Sequence, residues 1–327
     1  MAEPLQVGLI GLGVMGQRML DRLAAHPRLR AALIWDADPQ AVARTLQRFP
    51  ALRAARDASE LIGSSGLHSL YIATPPAAHL SLSEAAFDAG LTVLCEKPLT
   101  VDFDAARRTI ARIDREGQRA AVNFSLASSS GLAALQRCFG ADSDRPLGDL
   151  RAVEIELAFA AWPRPWQAGA GAWLAQREEG GFTREVLSHF VFVLQRVLGP
   201  ATVVTAEPVY PDDDLGAETA LTARLHAGGV PVSVNARVAA DVPVPDFNRM
   251  TWRAVDGEVQ LRDWFGVAQQ RRGEAWQPLG EAADLRAAGQ ASQLDQWVAL
   301  IEGLAHGLPG FAEALAVQET IEALLRG

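Results

Sequence analysis

Three glycines near the start of the chain have the spacing of a phosphate-binding turn. Gly11, Gly13 and Gly16 form the pattern GxGxxG, directly after a predicted strand and at the start of a predicted helix that begins with Val14 and Met15. Glycine lets the backbone turn tightly, and it lets N–H groups and the helix N-terminus approach a pyrophosphate without a Cβ in the way. The spacing therefore predicts a dinucleotide site at this turn.

An acidic residue ends the second predicted strand, at the distance expected for a ribose ligand. Asp36 lies 20 residues after Gly16, where a carboxylate accepts hydrogen bonds from the ribose hydroxyls and repels a 2′-phosphate. Asp38 adds a second negative charge, although Arg44 in the next predicted helix could reach a 2′-phosphate. We therefore expect NAD, with NADP as the alternative. The other interpretation of the turn is that its glycines serve only strand-to-helix packing.

A carboxylate and an imidazole lie four residues apart in the middle of the chain. Glu185 and His189 fall on one face of a predicted helix, so that the carboxylate would fix the imidazole tautomer and stabilise its protonated form. This spacing indicates an acid/base pair. The same helix is apolar nearly all round, which also fits a core histidine that is satisfied by its own helix neighbour.

Upstream of this helix, three of the eight tryptophans occur in one loop, namely Trp162, Trp166 and Trp173. Two interpretations are open. The loop covers an active site, with Arg164, Arg177 or Arg184 meeting a polar or anionic substrate, or it packs on a sheet or on a partner subunit. The substrate candidates are Trp162, Arg164, Trp166, Arg184 and Asn123.

The elements that must position these residues follow two patterns. The first 120 residues alternate short apolar runs with helical segments, which is typical of βαβ units and of a parallel sheet buried on both faces. Strands are predicted over 5–10, 31–36, 67–73, 91–96 and 119–124. Helices are predicted over 14–26, 39–49, 77–89 and 103–116, and Gly90 and Gly117 are placed as helix stops.

Beyond residue 124, a small-residue helix over 128–139 is followed by strands without intervening helices. Between Val230 and Val238, apolar residues alternate with mostly polar ones, which indicates an open sheet with one face covered. Two helices, about 291–306 and 310–325, close the chain. We expect an α/β fold: a doubly wound Rossmann domain at 1–124, and an α+β domain with an open, mostly antiparallel sheet at 125–327. The second domain would bind substrate and form oligomers, and the last helices could pack back on the first domain.

Composition narrows the class of partner. A formal net charge of −9 argues against nucleic acid and anionic membranes, which a negative surface does not attract. Cys95 and Cys138 lack metal-like spacing, so we expect neither a metal site nor a disulfide. No apolar run approaches the roughly 20 residues that a membrane span needs. We expect a cytoplasmic protein that acts on a small molecule and forms a homodimer or homotetramer through its open sheet.

Three further segments resemble the Gfo/Idh/MocA family, which includes glucose-fructose oxidoreductase and inositol dehydrogenase. Residues 71–79 (YIATPPAAH) are similar to the family's strand that ends in ATPP and a histidine, and residues 96–99 (EKPL) reproduce its EKPL signature. Gly180, Gly181, Glu185 and His189 are similar to its GGxxxDxGxH segment. Glu185 stands where the family usually has Asp, Leu187 where it has Gly, and Phe192 where it frequently has Asp.

The resemblance implies hydride transfer to or from a nicotinamide cofactor, with Lys97 and His189 as the groups that handle the substrate proton. In oxidation His189 would take the proton, Lys97 would hydrogen-bond the reacting oxygen and Glu185 would orient His189, although the first two roles could be exchanged. It adds further cofactor-binding candidates, which are Ala73, Thr74, Pro75, His79, Glu96 and Lys97. The expected function is therefore a dehydrogenase of a secondary alcohol or carbonyl in a sugar, cyclitol or related compound.

Two other functions stay open at this point. The same fold could deliver hydride to an imine or enone if the acid/base pair has changed, and Glu185 in place of Asp leaves room for that. A protein that only senses NAD would need neither Lys97 nor His189, so their presence speaks against a purely regulatory role.

Overall fold

The computed structural model describes residues 3–244 and 246–327. The chain divides into two compact units, each with its own sheet. The first unit comprises Met1–Phe124 and Ala291–Leu315, and the second comprises Ser125–Gln290 and Ala316–Gly327.

The first unit contains a parallel sheet of six strands. These are Leu5–Ile10 (β1), Leu29–Trp35 (β2), Arg53–Ala54 (β3), Ser69–Ile72 (β4), Thr92–Glu96 (β5) and Ala120–Asn123 (β6). Their order across the sheet, β3-β2-β1-β4-β5-β6, is the doubly wound order of dinucleotide-binding domains. The predicted parallel sheet is confirmed. The short strand β3 was not predicted because both of its residues are exposed and form no apolar run.

Five helices connect these strands, and short polar side chains begin several of them. They are Val14–Ala25 (α1), Pro39–Arg48 (α2), Ala58–Ile62 (α3), His79–Asp88 (α4) and Phe103–Glu116 (α5). The Asp38 side chain accepts a hydrogen bond from the N–H of Gln40 at the start of α2, and Asp102 accepts one from Ala105 at the start of α5. Gly117 ends α5 in the left-handed region, at a φ of 66°.

The second unit contains a sheet of eight strands. They are Leu150–Phe159 (β7), Ala201–Val209 (β8), Ala220–Ala227 (β9), Val230–Val238 (β10), Asp246–Ala254 (β11), Gly257–Arg262 (β12), Gly266–Arg271 (β13) and Gln277–Pro278 (β14). Their order is β14-β13-β12-β11-β7-β10-β9-β8, and the neighbours are antiparallel except for β7 and β10. The predicted alternation is confirmed on β9, where Leu221, Ala223 and Leu225 are buried and the residues between them are exposed.

Helices Ser130–Phe139 (α6) and Ser188–Leu198 (α7) contact each other in the second unit, and α7 also contacts β8 and β9. The chain closes with Ala282–Glu302 (α8) and Phe311–Arg326 (α9). Within the first unit, Trp297 of α8 is fully buried beside Tyr71 and donates a hydrogen bond from its indole N–H to Ser69. Across residues 3–244 and 246–327, the helices lack a stretch that is both long and apolar enough to cross a bilayer.

Candidate functional site

The glycine turn between β1 and α1 is required by the fold at two of its three positions. Gly11 has a φ of +95°, and a Cβ on it would lie 2.4 Å from the carbonyl carbon and oxygen of Ala73. A Cβ on Gly16 would lie 2.0 Å from the carbonyl oxygen of Gly11. Since these neighbours are backbone atoms, they cannot rotate away, and both positions exclude any larger residue.

Gly13 differs from the other two glycines because nothing lies within 4 Å of the position that its Cβ would occupy. It is the N-cap of α1, and the helix begins there without a side-chain cap, with Val14 and Met15 partly exposed in its first turn. The N-terminal N–H groups of α1 are thus open to an external acceptor. This arrangement fits the pyrophosphate of a dinucleotide.

Asp36 lies beside the same turn, directly after β2. Its Oδ2 accepts a hydrogen bond from the N–H of Leu12 at 2.6 Å, and its Oδ1 accepts one from the N–H of Asp38 at 2.8 Å. Each carboxylate oxygen retains a further lone pair, so these bonds orient the group and leave capacity for ribose hydroxyls. Arg44, the residue that could favour NADP, forms an ion pair with Asp38 at 3.3 Å.

The segment after β4 contains a buried polar atom that fits a ligand. Ala73 and Thr74 are partly exposed and Pro75 is exposed. The Oγ1 atom of Thr74 itself is buried, and it has no hydrogen-bond partner among the residues that the structure describes. An orphaned hydroxyl is costly unless something else satisfies it, and a bound cofactor would do so.

His79 was predicted to bind the cofactor, and in the structure its ring lies between two backbone carbonyls of the first unit. The side chain is buried, and its ring nitrogens lie 2.9 Å from the carbonyl oxygen of Pro98 and 2.8 Å from that of Thr74. Burial lowers the pKa of this imidazole, and the charge of Lys97 adds to the lowering. His79 therefore joins the Thr74 loop to the loop that carries Lys97, because both of its nitrogens already face backbone carbonyls.

Glu96 and Asn123, predicted as cofactor and substrate ligands, both point into the interior of the first unit. The Glu96 carboxylate accepts hydrogen bonds from the hydroxyl of Tyr71 and, at 2.6 Å, from the side-chain amide of Asn123. Asn123 in turn accepts a hydrogen bond from Gln293 at 2.5 Å. Burial raises the pKa of Glu96. This network joins the strands β4, β5 and β6, and both predicted ligands belong to it.

Lys97 is the residue directly after β5, at the carboxyl edge of the parallel sheet. Its side chain is half-buried, and the Lys97–Pro98 peptide is cis. Ligands of such sheets bind outside the carboxyl ends of the strands, which is the edge that Lys97 occupies.

In the second unit, His189 lies on α7 and Glu185 lies just before it. Both residues lie in helical structure, as predicted, but Thr183–Leu187 forms a π-helical turn before the α-helix α7 begins. Gly181 precedes this turn with a φ of +98°, and a Cβ there would lie 2.1 Å from the Glu218 carboxylate. Glu218 accepts a hydrogen bond from the N–H of Thr183 at 2.7 Å and so holds the start of the turn. A π-helical turn of this kind is frequent at functional sites.

Glu218 is a residue that the sequence reasoning missed. Its carboxylate is buried, and burial raises its pKa. It comes from the segment between β8 and β9, which shows no motif. The available signal was the pair Gly180 and Gly181, because adjacent glycines can mark a place where another group comes close to the backbone.

His189 is buried and meets an aromatic ring that was also missed. The imidazole and the indole of Trp264 are edge to face, with ring centroids 5.3 Å apart. Glu185 is partly exposed. Trp264 lies in the turn between β12 and β13, and a single tryptophan in a hairpin carries no sequence signal of its own.

Two of the arginines predicted to meet substrate, Arg164 and Arg184, form ion pairs within the second unit. Arg164 is buried, and its Nη1 lies 2.6 Å from Oδ2 of Asp246. Arg184 donates two hydrogen bonds to Glu322, at 2.6 Å and 2.8 Å. Their charges are therefore already compensated by carboxylates.

The tryptophans of the predicted loop are divided between interior and surface. The indole N–H of Trp162 donates a hydrogen bond to the carbonyl of Leu174, so this residue packs within the loop, whereas Trp166 is 44% exposed.

Within residues 3–244 and 246–327, no three His, Cys, Asp or Glu side chains are grouped as a metal site.

The first 124 residues of the chain resemble known proteins. Residues 5–124 match the model of the oxidoreductase family with an NAD-binding Rossmann fold, Gfo/Idh/MocA. The first part of the chain thus matches the family that the motifs at residues 11–16, 71–79 and 96–99 resemble. It is similar to the inositol 2-dehydrogenase of Arthrobacter sp. (strain FB24), with 30% identity over 152 residues that cover 46% of this chain and 44% of that protein. The chain thus spans less than half the length of the first curated relatives that it matches.

Solved structures extend the likeness of the fold to almost the whole chain. An oxidoreductase from Agrobacterium radiobacter, solved with NAD+, L-tartaric acid and magnesium, has a TM-score of 0.83 at 17% identity and covers 98% of this chain and 95% of its own. The 3-ketoreductase KijD10 from Actinomadura kijaniata, solved with NADP, has a TM-score of 0.78 at 20% identity. The alignment covers 99% of this chain and 98% of the KijD10 chain. At these identities the likeness shows the two-domain fold alone.

Proposed function

We propose that the protein is a nicotinamide-dependent oxidoreductase that transfers a hydride between the cofactor and a secondary alcohol or carbonyl of a sugar, cyclitol or related small molecule. The observation that carries this proposal is the glycine turn, where Gly13 leaves open space at an uncapped helix N-terminus beside Asp36. The family match and the inositol dehydrogenase relatives support the reaction class.

The residues suited to hold the cofactor are Gly13 and the start of α1 for the pyrophosphate, Asp36 for the ribose and Thr74 for a further polar group. When bound, the nicotinamide supplies the hydride acceptor or donor. We propose NAD as the preferred cofactor, because the oriented Asp36 carboxylate would repel a 2′-phosphate and Arg44 is paired with Asp38.

Three side chains are proposed to handle the substrate. Lys97 hydrogen-bonds the reacting oxygen, His189 takes the hydroxyl proton in the direction of oxidation, and Glu185 orients His189. The reverse assignment of Lys97 and His189 is the alternative. The proton must leave as the hydride leaves, so a base is needed at this oxygen, and an imidazole in its neutral form can accept a proton.

The cofactor proposal is tested by thermal-shift titration with NAD and NADP, each oxidised and reduced, on the wild type and on Asp36→Ala. We expect a larger shift with NAD, and a loss of about tenfold in NAD affinity in the variant because charge-assisted hydrogen bonds to the ribose are removed. NADP binding should change less. Equal shifts with both cofactors in the wild type would contradict the role of Asp36.

The catalytic proposal is tested with Lys97→Met and His189→Ala on whichever alcohol or carbonyl compound is turned over. Each variant should lower kcat by about 100-fold or more, the usual contribution of a positioned acid or base. NAD binding by His189→Ala should stay unchanged, which separates chemistry from cofactor binding. Values of kcat within a few-fold of the wild type in both variants would overturn the assignment.

The outcomes also separate this proposal from the two other functions. Turnover only in the reductive direction and only on imines or enones would favour the second, and cofactor binding without turnover on a broad panel would favour a sensor.

We further propose a homodimer or homotetramer formed through the open face of the second sheet. Thr222, Arg224 and His226 of β9 are exposed on that face while the residues between them are buried. An open sheet face is commonly covered by a second copy of the same chain. Light scattering should give a mass of two or four chains, and an Arg224→Glu variant should lower it by placing a charge opposed to the native one on that face.

A further inference from the structure

Trp264 has a backbone conformation that bulky residues rarely adopt. It lies in the turn between β12 and β13 with a φ of 70°, directly after Asp263 with a φ of 51°. Asp tolerates such a conformation, but for a bulky residue it is unfavourable and is found mostly where the surrounding structure holds it in place. The indole is therefore held at this point of the hairpin against the preference of its own backbone.

The surrounding contacts explain how the turn is held. The buried side chain of Asn248 accepts a hydrogen bond from the N–H of Trp264 at 2.7 Å, and its backbone carbonyl accepts one from Asp263 at 3.2 Å. The indole N–H of Trp264 faces Asp246 at 3.4 Å. These three bonds fix both the backbone and the plane of the ring.

The fixed indole lies beside the proposed acid/base residue. Its ring is 5.3 Å from that of His189, edge to face, and 5.9 Å from that of Phe190. Trp264 itself is only partly buried. A group that reaches His189 from this side meets an aromatic surface.

Two more indoles join Trp264 around one guanidinium. The Arg164 side chain lies 4.6 Å from the ring of Trp166, 5.5 Å from that of Trp162 and 5.8 Å from that of Trp264. We call Trp162, Trp166 and Trp264 the indole cluster. Arg164 is held there by cation–π attraction and by the ion pair with Asp246, and the pair has no net charge.

This arrangement bears on the charge of the substrate. The Asp246 carboxylate compensates the charge of Arg164, so the pair attracts an anionic group less than an unpaired guanidinium would. Aromatic faces instead favour the C–H face of a ring, through contact area and the ring quadrupole.

We propose that Trp264 is a specificity-determining residue of this protein and that the indole cluster selects an uncharged ring substrate, such as a cyclitol or sugar, over its carboxylate or phosphate derivative. This inference rests on the proposed function, in which His189 takes the substrate proton, and it narrows the substrate class.

The test compares matched pairs of compounds that differ in charge. The pairs are myo-inositol with myo-inositol 1-phosphate and D-glucose with D-glucuronate, measured with NAD as kcat/KM. In parallel, quenching of tryptophan fluorescence in the NADH-loaded protein measures binding without turnover. We expect the neutral member of at least one pair to be favoured by about tenfold or more in both measurements.

Variants of the cluster locate the effect. Trp264→Leu should raise KM for the neutral member by about tenfold with a smaller change in kcat, and Trp264→Phe should restore most of it, since a ring face returns. Trp276→Leu is the matched control, because Trp276 is a partly buried tryptophan of the same unit outside the cluster, and it should change neither value. Asp246→Asn should narrow the preference for neutral compounds, because the charge of Arg164 is then uncompensated.

Each outcome decides the inference. Trp166→Leu, at a site that is 44% exposed, keeps the test usable if Trp264→Leu fails to fold. Failure of every compound to be turned over would contradict the proposed function, while the order of quenching would still judge the charge preference. Equal or stronger binding of the charged members, or quenching by neither member of either pair, would overturn the inference.

Discussion

The glycine turn of the first unit and the indole cluster of the second are built in opposite ways. The turn consists of backbone atoms from a few neighbouring segments, and its shape depends on the absence of side chains at Gly11 and Gly16. The cluster consists of large side chains from distant parts of the chain, held by ion pairs and ring contacts. A site made of backbone is specified locally and tolerates little change, whereas a site made of side chains can vary while the fold stays the same.

The register of the second sheet shows how the cluster is brought together. Asp246 pairs with Phe159 at the end of β7, so its carboxylate lies next to the segment that contains Arg164. Arg262 pairs with both Arg249 and Gly266, which brings the turn containing Trp264 beside Asn248. The surroundings of the indole cluster in this unit are therefore a consequence of strand pairing across about a hundred residues of sequence.

The largest effect is expected from alanine in the glycine turn, and it differs between two glycines of the same motif. Gly16→Ala should lower the free energy of unfolding by about 3 kcal/mol, because its Cβ would lie 2.0 Å from a backbone oxygen that cannot move without displacing β1. Denaturant unfolding of the variant measures this loss.

Gly13→Ala is the matched control for this prediction. Its Cβ would meet no atom within 4 Å, so the free energy of unfolding should stay within about 0.5 kcal/mol of the wild type. NAD affinity should nevertheless fall at least about tenfold, since the methyl group occupies the space expected for the pyrophosphate. If both variants unfolded alike, or if Gly13→Ala bound NAD normally, the distinction between fold and ligand glycines would be wrong.

The difference between the two regions also explains which parts could be predicted. The parallel sheet, the glycine turn and the position of Asp36 follow from local signals: apolar runs, GxGxxG and a carboxylate at a strand end. The direction in which a buried side chain points does not follow from such local signals. Glu96 and Asn123 come at strand ends, where polar groups usually face a ligand, yet they hydrogen-bond to each other inside the unit.

In the second unit the sequence predicted the strands better than their contacts. The alternation of β9 and β10 was evident, but the roles of Arg164, Arg184 and Trp264 depend on partners at positions 246, 322 and 189, far away in sequence. Helical spacing indicated Glu185 and His189 as a pair. It did not indicate the π-helical turn, because that turn follows from the buried Glu218 that holds Thr183.

An intermediate effect is expected when the Arg184 ion pair is removed. Arg184 and Glu322 are 12% and 19% exposed, so Arg184→Met leaves a largely buried carboxylate without its partner and should cost about 2–3 kcal/mol of unfolding free energy. KM for substrate should stay unchanged, because the guanidinium is engaged within the second unit. The double variant Arg184→Met/Glu322→Leu should recover much of the stability. A rise in KM without a loss of stability would return Arg184 to the substrate site.

The smallest effect, and the one that compares the two units most directly, concerns two buried carboxyls. Burial raises the pKa of Glu96 in the first unit and of Glu218 in the second. The folded state therefore binds the proton more tightly than the unfolded state does, so each group stabilises the fold when protonated. This contribution is lost as the pH rises from the ordinary carboxyl range through the raised pKa.

Glutamine keeps an acceptor for Tyr71 or for the N–H of Thr183 and never ionises. Relative to the wild type, Glu96→Gln and Glu218→Gln should thus gain about 1 kcal/mol in unfolding free energy at pH 8, and the gain should shrink toward pH 5. Denaturant unfolding at several pH values measures both, with exposed Glu281→Gln as the control that should show no trend. A gain that grew as the pH fell would contradict the prediction. It would mean that hydrogen-bond donors stabilise the ionised carboxylates by more than burial destabilises them.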